Sequence, residues 1–65
     1  MISELARQID LAYRKAEEAE MNYIDSLGIF YSDPAEQIAA CEVYQDTLDK
    51  ELSQIYSKAL DRYLN

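Results

Sequence analysis

The sequence predicts an all-α protein: an antiparallel two-helix hairpin that dimerises into a four-helix bundle. Three observations carry that prediction. Apolar residues recur at steps of three and four along two long stretches. One Asp-Pro pair, five residues after the only glycine, separates the stretches. Finally, 65 residues are too few to cover both sides of the seam the stretches would form.

The first helix is expected over about residues 3–31. Ser3 is its N-cap, and Glu4 places a negative charge in the first turn. Its stripe runs Ile2, Leu5, Ile9, Ala12, Ala16, Ala19, Tyr23, Ser26 and Phe30. Only Ser26 interrupts it, and Leu27 stands beside that position. Gly28 poses the one real choice. Glycine is the usual helix stop, yet a helix that ended there would be several residues shorter than its neighbour. Running on to Tyr31 matches the two lengths. Burial of Phe30 would then offset the roughly 1 kcal/mol that an internal glycine costs. The through-running helix is therefore the expectation, with Ser32-Asp33 as the turn.

A second helix is expected over about residues 34–63. In Asp33-Pro34-Ala35-Glu36 the aspartate caps, the proline fills the first helical position and Glu36 completes a capping box. The stripe that follows is Ile38, Cys41, Gln45, Leu48, Leu52, Ile55, Ala59 and Arg62. Folding at the turn pairs residues whose numbers sum to roughly 65. Ala12 then faces Leu52 and Ile55, Ala16 faces Leu48 and Leu52, and Ala19 faces Tyr44 and Leu48. Small residues opposite large ones let the layers interdigitate. The seam assigned to the core or to a dimer contact is Leu5, Ile9, Ala12, Ala16, Ala19, Tyr23, Ile38, Cys41, Leu48, Leu52 and Ile55.

Composition excludes several functions. A lone cysteine, Cys41, cannot form an intrachain disulfide and points to a reducing compartment. Histidine is absent, which removes the commonest metal ligand and the default base near neutral pH. No apolar run approaches the ~18 residues of a membrane span. The opening MISELARQID lacks a signal peptide's basic start and apolar core. The expectation is a soluble, cytoplasmic chain. A net charge of −7 argues against a nucleic-acid partner, whose phosphates demand Lys and Arg.

The charges are also unevenly placed. Residues 16–49 carry nine acids (Glu17, Glu18, Glu20, Asp25, Asp33, Glu36, Glu42, Asp46, Asp49) and no base, a charge of −9. The remaining residues hold six bases and four acids, a charge of +2. In a hairpin the first group lies at the turn and the second at the open end. Two parallel copies would set like ends together, so an antiparallel homodimer is expected. The acids either serve only solubility or dock on a basic surface.

Carboxylates at Glu17, Glu18, Glu20, Asp46 and Asp49 resemble in spacing the acids of bundle di-iron sites, but those sites also need histidines. They read as a solvated face, and no metal or cofactor is expected. Cys41 has no basic neighbour to activate it and reads as a structural thiol. No phosphate loop and no catalytic triad is present, so the chain is read as a non-enzyme. Six tyrosines are many for this length. Tyr13, Tyr56 and Tyr63 fall towards the open end with Arg14, Lys58 and Arg62. They suit the rim of a dimer or partner contact.

Two resemblances supply alternatives. Asp33, Glu36, Gln37, Cys41, Glu42, Asp46 and Asp49 resemble, without gaps, the second helix of the Rop-type plasmid copy-number regulators, over about a quarter of the chain. That family implies an antiparallel four-helix dimer gripping paired RNA loops. Here the in-phase positions of helix one are Arg7, Arg14, Glu18 and Asn22, with an acid where the family has an aromatic. Ser57-Lys58-Ala59-Leu60-Asp61 is similar to an element of small helical-hairpin aspartyl-phosphate phosphatases. There the element lies early in helix two. The principal reading is a small protein-interaction module, whether regulator, inhibitor or adaptor. Its partner-binding residues would be Glu17, Glu18, Glu20, Asp25, Glu36 and Glu42 at the acidic tip, with Tyr13, Tyr56 and Tyr63.

Overall fold

The computed structural model describes residues 3–64. Helix α1 spans Glu4–Leu27, a 3₁₀ turn covers Gly28–Ser32, and helix α2 spans Pro34–Leu64. The two helices pack against each other as a hairpin. Ile2, the first residue assigned to the stripe, lies outside the described residues.

Both helix starts are built from local chemistry. Ser3 has extended backbone, and its Oγ accepts the Ala6 N–H at 3.1 Å. At α2, Pro34 needs no N–H partner in the first turn, and Asp33 Oδ1 accepts the Ala35 N–H at 3.0 Å. The capping box expected at Glu36 does not close. The Asp33 N–H instead donates to the Phe30 carbonyl at 3.1 Å, and the Glu36 carboxylate is engaged by Tyr23 across the hairpin.

Helix α1 stops at Leu27, short of the expected Tyr31. Gly28 takes φ 58° and ψ −124°, and its N–H still donates to the Ile24 carbonyl. A side chain at that backbone position clashes with the peptide, so glycine alone adopts it readily. Phe30 gains no burial to offset an internal glycine: it is 68% exposed. The lengths match by another route. The 3₁₀ turn rises about 2 Å per residue and adds roughly 10 Å to the ~36 Å of α1, close to the ~46 Å of α2.

The expected small-against-large layer is present at mid-rod. Ala12, Ala16 and Leu48 are buried together, with Tyr44, Leu52 and Ile55 packed around them. Towards the turn the inner face of α2 differs from the expected stripe. Ile38 is 61% exposed, and Cys41 and Gln45 are exposed too. Two adjacent rows face inward at four-residue steps: Glu36, Ala40, Tyr44, Leu48 and Leu52, and beside them Ala39, Val43, Thr47, Glu51 and Ile55. Such a row slants across the helix, unlike a heptad seam. Its logic is again size. Tyr23 is bulky where α1 has alanine lower down, and α2 answers it with Glu36 at the hydroxyl and buried Ala40 one turn on.

Gly28→Ala is expected to destabilise the chain by about 1–3 kcal/mol through backbone strain alone, because a Cβ there meets nothing within 4 Å. Gly28→Asn should not rescue it, since asparagine tolerates a ψ near +47° and not one near −124°. Urea denaturation of both variants checks this, and an unchanged midpoint for Gly28→Ala would contradict it.

Candidate protein-interaction surface

The hairpin is a single layer, 49 × 24 × 14 Å. Its radius of gyration is 15.1 Å, against about 11 Å for a compact domain of this length. Among the described residues, three alanines and Leu48 are the only buried side chains. Large apolar side chains stand in solvent instead: Leu5 at 44%, Leu11 at 47%, Met21 at 61%, Ile29 at 85% and Leu60 at 57% exposure.

The two broad faces differ. On one, Lys15 Nζ reaches Glu51 Oε2 at 3.6 Å across the helices, among Gln8, Gln54 and Lys58, with Leu11 and Ile55 beside them. Helix phase puts Ile9, Tyr13 and Ile24 of α1, with Cys41, Leu52 and Tyr56 of α2, towards the other. Ile24 was missed in the sequence because it sits one place off the Tyr23 stripe. The row that begins at Ile9 and Tyr13 is broken by Glu17 and Glu20 before it reaches Ile24, so periodicity carried little signal for it.

The acidic residues occupy the turn half of the rod without forming one compact tip. Glu17, Glu18, Asp25 and Glu42 are exposed, and Glu20 and Glu36 are half-buried. From Glu17 to Leu27 alone is about 15 Å of helix. Tyr13 and Tyr56 are partly exposed, and Tyr63 is 87% exposed. Tyr56 and Tyr63 are seven residues apart on α2, about 10 Å along the axis, so the three do not make one cluster. Arg14 is engaged by Asp10 at 3.1 Å on its own helix.

Tyr23 is held by a carboxylate of the facing helix. Its hydroxyl donates to Glu36 Oε2 at 2.8 Å. That bond to a carboxylate, then burial, then the charges of Glu36 and Glu42 raise its pKa above the usual 10.0.

Two small clefts lie along the hairpin. One, of about 190 Å³, lies along the Lys15–Glu51 bridge, and another, of about 200 Å³, lies at the open end among Leu5, Ile55, Ala59 and Arg62. Ligand pockets usually hold ~300–1,000 Å³. Among the described residues no three acids or cysteines are placed to share a metal, and no helix is long and apolar enough to cross a membrane. Ser57 and Asp61 are exposed near the end of α2, and Arg7, Glu18 and Asn22 are exposed on α1.

The Tyr23–Glu36 bond makes a pH prediction. A raised folded-state pKa means the bond stabilises the hairpin fully below pH 10 and is lost as pH climbs through the raised value. Thermal melts between pH 8 and 12 should fall more steeply for the wild type than for Tyr23→Phe. Parallel curves would show that the bond contributes nothing. Comparison of the chain with known protein families, curated proteins and solved structures found no match.

Proposed function

We propose that this chain is a non-enzymatic protein-interaction module, a small regulator, inhibitor or adaptor. In this reading it works in the cytoplasm as an antiparallel homodimeric four-helix bundle. The carrying observation is the unfinished core: a layer 14 Å thick in which, among the described residues, Leu48 is the only large buried side chain. A helix face that stays apolar in solvent needs a second layer. The accessible surface of 5280 Å² points the same way. A compact monomer of 7.5 kDa exposes about 4,200 Å², and the excess is of the size one partner buries in a stable interface, ~800 Å².

Charge favours the antiparallel pairing. It sets the −9 half of each copy beside the +2 half of the other, which avoids the like-charge contact of a parallel pair. The outward acids, Glu17, Glu18, Asp25 and Glu42, then remain for a basic partner surface, with Tyr63 as an aromatic anchor. An exposed free thiol at Cys41 suits a reducing compartment.

Sedimentation equilibrium over a hundredfold concentration range tests the first step. The expected species has twice the 7.5 kDa chain mass. A chain that stays monomeric and fully helical throughout that range would sink the proposal, since the apolar faces would then be tolerated in water.

A further inference from the structure

We infer that one particular face of the hairpin receives a second copy of this chain: the face carrying Ile9, Tyr13 and Ile24 of α1 with Cys41, Leu52 and Tyr56 of α2. The opposite face stays in solvent. This rests on the homodimer reading and adds to it the surface, the register and the neighbours.

The choice of face follows from what each one offers. The Lys15–Glu51 bridge spans one side at 3.6 Å, and Gln8, Gln54 and Lys58 flank it. Covering that side would bury Leu5 and Leu11 but would also desolvate the Lys15–Glu51 pair and the Lys58 ammonium. The other side carries five apolar or aromatic side chains and the Cys41 thiol at the six positions named, with Glu20 and Gln45 the polar side chains in the same helix phase. Tyr13 is 43% exposed and Tyr56 is 55% exposed in the single hairpin, while Ile9, Ile24 and Leu52 are half-buried. A face of 49 by 24 Å is ample for the ~800 Å² per partner of a stable contact.

The register follows from geometry. Antiparallel hairpins stacked on the same face are related by a two-fold axis lying between the layers. The middle of the rod is at the level of Glu17 and Leu48. The axis there sets α1 over the second copy's α1, with paired residue numbers summing to about 35. It likewise sets α2 over the second copy's α2, with numbers summing to about 96. Tyr13 then lies within a turn of the second copy's Ile24, and Cys41 lies level with the second copy's Tyr56. The contacts are reciprocal, as a two-fold interface requires. Each acidic half covers the other copy's open half.

Cys41 makes this testable. In this register the two native thiols are about 21 Å apart along the axis, far beyond the ~4.4–6.8 Å Cα separation of a disulfide. Mild oxidation of wild type should give no cross-linked dimer. In Tyr56→Cys the introduced sulfur sits opposite the second copy's Cys41, and oxidation should give a disulfide-linked dimer. Within one chain those positions are fifteen residues apart on a single helix and cannot join. Tyr13→Arg should weaken dimerisation roughly tenfold or more, and Gln54→Arg on the other face should leave it unchanged.

The outcomes separate the two layers of the argument. Dimeric wild type with no cross-link in Tyr56→Cys and no effect of Tyr13→Arg would overturn the face while leaving the dimer. Loss of affinity in Gln54→Arg alone would assign the opposite face. A wild-type chain that is monomeric throughout would remove both.

Discussion

The rest of the structure depends on how closely two helix backbones approach at Ala12 and Ala16. Neither residue has an atom beyond Cβ, so Leu48 enters between them and is buried, while Tyr44, Leu52 and Ile55 close around the contact. Close approach gives a dense seam and a narrow one. The bulkier apolar side chains are pushed to the flanks, where the hairpin has nothing to lay over them. A buried leucine contributes about 1.5–3 kcal/mol, the same order as fixing the backbone of one or two residues. The seam therefore sets the register of the two helices without supplying enough burial to hold a compact domain.

Near the turn the same size rule operates in reverse. The large residue is Tyr23 on α1 and the small one is Ala40 on α2, and a carboxylate, Glu36, is carried half-buried in the inner row. It is tolerated because the Tyr23 hydroxyl donates to it at 2.8 Å. The pair ties the start of α2 to the last turns of α1, and it occupies the very group that would otherwise have capped α2. The seam is thus apolar and small-sided at its middle and closed by a polar pair near the turn, and this asymmetry matches the separation of charge along the rod.

Much of this was legible from the sequence. Ser3, Asp33 and Pro34 mark the helix starts by chemistry that needs no tertiary context, and the alanines of α1 opposite Leu48, Leu52 and Ile55 follow from spacing alone. Two features were not legible. The dihedrals of Gly28 depend on where α2 docks, and a glycine in phase with an apolar stripe fits a helix interior as well as a helix end. The inner row of α2 was misread because Ile38 and Cys41 make a better heptad than Glu36, Ala40 and Tyr44. Periodicity finds apolar faces, but it does not say which of two neighbouring faces meets the chain's own first helix. Glu36 in particular could be placed inside only by knowing that Tyr23 would reach it.

The Tyr23–Glu36 bond joins residues only thirteen apart in the chain, whereas the Lys15–Glu51 bridge closes a loop nearly three times longer. Closing the shorter loop costs about 0.9 kcal/mol less entropy, and loops of that size close in about 10–100 ns. The contact beside the turn is therefore the entropically cheapest between the helices, and once it is made each alanine layer below it closes on a shortened loop. By that measure the entropic cost of a contact between the helices rises steadily with its distance from the turn.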